Sequence, residues 1–140
     1  MARFWQFPNQ IFYMKRIFTL LIPCLILFSS FTVLSNIDDV VVAMKQGNAA
    51  QLSKFFDASV EVSMPDKSNS YSKSQAEMVV KDFFSTNSVK GFDIIHKGEN
   101  AGSEYCIGTL QTGNGIYRTT IFMKQRGGTQ VLQELRFENR

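Results

Sequence analysis

A chain of 140 residues, 44% hydrophobic and 19% charged, has room for one ordinary domain. Its formal charge of +3 belongs to the N-terminal part: Arg3, Lys15 and Arg16 are the only charges before Asn36, which leaves 12 basic and 12 acidic residues downstream. That neutral remainder is no argument for nucleic-acid binding, which wants a basic face, and its single cysteine, Cys106, excludes an intrachain disulfide.

Met14, Lys15 and Arg16 form a short basic start. Residues 17–28 are then apolar apart from Thr19, Pro23 and Cys24, and Ser29, Ser30, Thr32 and Ser35 follow. That order of basic, apolar and small-residue regions is the pattern of a signal peptide. The apolar run is short of the roughly 20 residues a membrane-spanning helix needs. Cleavage is expected after Ser35. Residues 1–13 are aromatic and nearly uncharged, unlike a leader, so Met14 reads as the true start. Lipid attachment at Cys24 is disfavoured, because Pro23 stands where a small residue is wanted and the apolar stretch runs on to Phe28. The expected organisation is an extension plus signal peptide over 1–35 and a single domain over 36–140. The protein is then exported, to the periplasm or beyond the cell, and meets the membrane only through an uncleaved signal.

Ile37, Val40, Val41 and Met44 recur at helical spacing, with Asp38 and Asp39 where the helix dipole favours acids and Gly47 where the helix should end. A second short helix is expected over 49–56. Residues 60–64 alternate as a strand, Pro65-Asp66 marks a turn, and Tyr71 falls in a candidate edge strand. Residues 74–84 predict a helix in which Ser74 and Glu77 form a capping box and Met78, Val79, Asp82 and Phe83 keep helical spacing. Four strands are expected at 92–97, 104–112, 116–125 and 130–137, separated by turns rich in glycine and asparagine. Helices first and strands last define an α+β fold, with helices packed on a curved antiparallel sheet.

An Asn114-Gly115 turn would pair Gly113 with Ile116, and a Gly127-Gly128 turn would pair Arg126 with Thr129. Tyr105, Ile107, Phe122, Val131, Leu135 and Phe137 then share one face, and Cys106, Leu110, Ile121, Met123 and Leu132 the other. A slip of one residue exchanges these sets. Both faces carry apolar groups while helices cover one, so a homodimer through the other sheet face is expected.

The order of elements, with the stretches VVVAMKQGNAAQLSKFFDASVEV and LQTGNGIYRTTIFMKQRGGTQVLQELRF, resembles the nuclear-transport-factor-2-like superfamily. Within it the chain is similar to an uncharacterised exported domain-of-unknown-function family of the Bacteroidetes type. The resemblance spans about residues 36–140 and implies a cone of helices over a curved sheet. It transfers no single function, since the superfamily holds isomerases, dehydratases, transport factors and pure binding modules. Its isomerases use a tyrosine on an early helix; here the first helices have none, with Tyr71, Tyr105 and Tyr117 placed later.

His96, the only histidine, is the natural candidate for acid–base work near neutral pH. Asp93, three residues earlier, should face the other side of a regular strand, whereas Glu104 lies beside His96 if the intervening hairpin is symmetric. The competing reading, a solvent-exposed histidine, is the favoured one. Arg118, Glu134 and Arg136 form a charged set, with Arg118 expected on the face opposite the other two. Arg118, Tyr105 and Asp93 are the candidates for ligand binding if the cone holds a pocket. One histidine and one distant cysteine give no metal spacing, and no phosphate or dinucleotide motif implies a cofactor. The expected role is a non-catalytic, envelope-located binding or assembly module. The alternative is a small-molecule binder or enzyme using the pocket between helices and sheet.

Overall fold

The structure, a computed structural model, describes residues 37–140. The expected signal peptide, the Met14 start, the cleavage point and Cys24 lie outside the described residues.

Helix α1 (Ile37–Gln46) buries Ile37, Val40, Val41, Ala43 and Met44 and stops before Gly47. Asn48 caps α2 (Ala49–Ser53), its Oδ1 accepting from the Gln51 amide at 3.0 Å. This helix ends earlier than its composition predicts. Phe56 is taken instead by β1 (Phe56–Ser63), where it pairs with Leu132, and the Leu132 amide donates to the Phe55 carbonyl at 2.7 Å. A distant strand has outcompeted a local helix preference.

The Pro65-Asp66 turn leads into β2 (Ser68–Ser72), an edge strand that pairs Tyr71 with Val60. Helix α3 (Lys73–Asn87) follows without a break. Its capping box uses Ser72 and Gln75 rather than Ser74 and Glu77. Ser72 is the last residue of β2 and already has the extended backbone that a cap requires. The buried row of α3 is Ala76, Val80, Phe84 and Asn87; Met78 is 71% exposed.

Four long strands complete the chain: β3 (Val89–Asn100), β4 (Ser103–Thr112), β5 (Gly115–Arg126) and β6 (Thr129–Asn139). They form a meander inside one six-stranded sheet of order β2-β1-β6-β5-β4-β3. Every pairing is antiparallel except β1 with β6, which is parallel. The β4–β5 hairpin pairs Gln111 with Ile116 and turns at Gly113-Asn114. This differs from the expected register by two residues, so the faces of the two strands are unchanged. Arg126 pairs with Thr129 as expected.

One residue decides the faces of β6. Phe122 pairs with Glu134 while Met123 pairs with Leu132, so Gln133 is the extra residue of a β-bulge. Beyond it the alternation reverses. Leu135 and Phe137 therefore join Cys106, Leu110, Ile121, Met123 and Leu132 on the inner face, contrary to the unbulged register, and all seven are buried. Glu134 and Arg136 move to the outer face with Arg118, correcting the expected separation of these charges. The bulge is anchored: Gln133 Nε2 donates to Asp57 Oδ2 at 3.1 Å, and Arg126 Nε lies 2.9 Å from the same oxygen. Burial alone would raise the Asp57 carboxyl, but the hydrogen bonds from Gln133 and the Ala58 amide, with the Arg126 charge, hold it below its ordinary value.

The inner-face side chains meet Val40, Met44, Leu52, Val60, Val62 and Val80, so the space between helices and sheet is filled by packed apolar groups. Among the described residues the hydroxyl of Thr119 sits fully buried in this core without a hydrogen-bond partner. Thr119→Val keeps the shape and removes the unsatisfied group, and should raise unfolding stability by about 1 kcal/mol. A urea melt checks it; a fall in midpoint would mean that the hydroxyl is satisfied in solution.

Candidate functional site

The outer face of the sheet gathers most of the sequence-predicted residues. Tyr105 pairs with Phe122 across β4 and β5, next to Ile107 and Thr120. The Tyr105 ring crosses β3 at Gly98: a Cβ there would lie 2.3 Å from the phenolic oxygen, so only glycine leaves room. The phenol thereby reaches His96 Nε2 at 2.9 Å.

A second bulge, at Ile95, sets Asp93 opposite Thr109 and His96 opposite Ile107. Both partners face outward, so Asp93 and His96 share a face, which corrects the expectation for a regular strand. They remain separate in bonding: Asp93 accepts from Gln111 Nε2, and His96 bonds Tyr105. Arg118 is exposed and lies across from Thr109 and Glu138. Arg136 pairs with Glu134 at 2.6 Å, an exposed contact of small energetic value.

Glu104 is not beside His96. It pairs with Glu99 on β3 and points to the opposite face, where its Oε2 accepts from the Ile37 amide at 3.2 Å. That carboxylate meets the positive end of α1 rather than an imidazole. Nearby, the hydrogen bond from Lys97 to Asp38 raises the ammonium above the usual lysine range. Cys106 is fully buried, and burial pushes its thiol up to about 11, which keeps it protonated and unreactive at neutral pH. Of the candidate residues Glu104 alone faces the helix side, while His96, Asp93, Tyr105 and Arg118 share the outer face. Among the described residues no group of three His, Cys, Asp or Glu side chains could hold a metal ion.

An amphipathic groove that no sequence-predicted residue pointed to lies on the helix side of the sheet. It has a volume of about 510 Å³ and lies between α3, the β1–β2 turn and the paired ends of β5 and β6. Phe83 stacks on Phe137 with ring centres 4.5 Å apart and meets Tyr117 edge-on at 5.2 Å. The Tyr117 hydroxyl donates to Asn87 Oδ1 at 3.0 Å, and Asn87 Nδ2 donates to the Phe83 carbonyl at 2.8 Å. A signal existed in the sequence. Helix α3 carries more apolar residues than one core stripe uses, and the surplus row of Met78, Val79 and Phe83 lines this groove.

Helices on one face of a curved six-stranded sheet define the nuclear-transport-factor-2-like class of α+β domains. A protein of that class from Cytophaga hutchinsonii, of unknown function, superposes with a TM-score of 0.54 at 10% identity, over 73% of this chain and 86% of that one. Within the class, the family described as Domain of unknown function (DUF4783) matches residues 37–138, and the chain belongs to that family. Two of its members have similar crystal structures. The protein from Bacteroides uniformis gives a TM-score of 0.72 at 30% identity, covering 74% of this chain and 95% of that one. The protein from Bacteroides fragilis gives 0.70 at 32% identity, covering 73% and 96%. No curated protein matches the chain.

Proposed function

We propose that this domain is a non-catalytic, exported assembly module that pairs with a second copy through the outer face of its sheet. The observation that carries the reading is the cross-strand pair of Tyr105 and Phe122. With Ile107 and Val131 it forms a half-buried apolar centre on the face that none of the described helices covers. Polar residues flank it, with Arg118, Glu134 and Arg136 on one side and His96 on the other. An apolar centre inside a polar rim is the anatomy of an interface. An isologous pair would place each copy's patch against the same patch of the other. Export rests on the leader pattern before Asn36, and the placement of Glu104 on the face opposite His96 supports a binding role over a catalytic one.

Sedimentation equilibrium at micromolar concentration tests the pairing. A dimer mass is expected for the native protein, and a monomer mass with a native-like circular-dichroism spectrum for Phe122→Glu. A native protein that sediments as a monomer would remove the reading.

A further inference from the structure

We infer that the groove beside α3 seats a short extended peptide segment in which a basic side chain stands next to apolar ones. This goes beyond the pairing proposed above and does not depend on it, because the groove lies on the helix side of the sheet and the pairing face is the other side.

Length comes first. Met78, Asp82 and Thr86 follow one another at intervals of four on α3, and so line one side of the groove along the helix. Eight residues of helix rise about 12 Å, which three or four residues of extended chain would span. The volume of about 510 Å³ also suits a ligand of that size.

Rigidity comes second. Phe83 is held by Phe137 beneath it and Tyr117 beside it, and Asn87, 8% exposed, ties Tyr117 to the backbone of α3. The aromatic wall is therefore built before any ligand arrives, which lowers the cost of binding. Met78 adds a flexible thioether that can adapt to different apolar side chains.

Charge decides the ligand's chemistry. Asp66 and Asp82 stand on the rim against a single cation, Lys67, so the surplus is acidic. The Tyr117 O–H donates its hydrogen bond to Asn87, so toward the groove its oxygen can only accept. A lysine or arginine flanked by apolar residues meets both the acidic surplus and the acceptor oxygen, whereas an acidic side chain would meet like charge at Asp66 and Asp82.

The test is an amide chemical-shift titration of isotope-labelled protein, purified from cells expressing the full chain. The probes are the blocked peptides Leu-Lys-Phe-Leu and Leu-Glu-Phe-Leu, and n-butylamine. The lysine peptide is expected to move the amides of residues 64–67 and 78–87 and to bind about fivefold tighter than the glutamate peptide. Asp82→Asn should shrink that preference, and Met78→Ala should weaken both peptides. Both positions are exposed, so folding is retained. Shifts confined to other regions, equal affinity for the two peptides, or an undiminished preference in Asp82→Asn would overturn the proposal. So would butylamine binding as tightly as the lysine peptide, which would make the groove a seat for small cations. Loss of pairing in the sedimentation experiment leaves these outcomes unaffected, so the two readings fail separately.

Discussion

Phe137→Ala is expected to lower unfolding stability by about 3–5 kcal/mol, the range for deleting a fully buried phenylalanine ring. Phe137 is 1% exposed and lies on β6, between β1 and β5 in the middle of the sheet. Its ring is stacked on Phe83 and meets Phe84 edge-on at 6.2 Å, so it joins α3 to the inner face of the sheet. Removing it loses the burial of the ring and leaves a void that the β6 backbone, paired with Thr119 of β5 at this point, cannot close. Against a typical total of about 5–15 kcal/mol, that loss is enough to make the domain marginal. Urea denaturation should show a lower midpoint with little change in slope. Phe137→Leu, which keeps much of the volume, should lose far less. Equal losses for the two variants would mean that the ring's stacking, and not its volume, carries the contribution.

Gly108→Val should cost about 2–3 kcal/mol through overpacking. Gly108 stands on the inner face of β4, opposite Ile94 and Thr119. A Cβ at this position would lie 2.2 Å from Cζ of Phe92 and 2.8 Å from the Asp93 carbonyl oxygen. Phe92 is only 2% exposed, so its ring cannot swing into solvent, and the Asp93 oxygen belongs to the backbone of β3. Either β3 moves away from β4 or the ring leaves the core. A double-mutant cycle separates these alternatives. Gly108→Ala should be less damaging in a Phe92→Ala background than in the native one if the ring is the obstacle. Equal damage in both backgrounds would place the conflict at the Asp93 carbonyl.

Much of the architecture was legible without coordinates. The helical spacing from Ile37 to Met44, the turn at Pro65 and the glycine-rich hairpins are local signals, and each led to the element that is present. Boundaries were less secure. Phe56 left its helix for a strand, and the α3 cap moved from Ser74 to Ser72. Both shifts have one cause: the competing partner, Leu132 in the first case and the incoming strand β2 in the second, is set by tertiary structure.

The candidate site was less legible than the fold. His96 and Tyr105 were both singled out, yet their contact depends on Gly98 leaving space on the neighbouring strand. Glu104 was linked to His96 by a symmetric hairpin, whereas the true register places it on the other face and against the start of α1. The groove at Met78 and Phe83 went unseen because a helical pattern records which residues are apolar. It does not record which of two adjacent rows the core has room to cover.

By itself the amino-acid order determined the class of this protein, helices followed by a meander of glycine-turned strands, because periodicity and turn chemistry act over a few residues. Only the tertiary structure decided which side chains face inward on β3 and β6. A bulge at Ile95 and another at Gln133 each insert one residue and invert everything beyond, and neither has a local signature. The bulge at Gln133 is held by Asp57, which is 76 residues away in sequence, and the burial of Phe137 follows from it. Such a contact exists only once the strands have met.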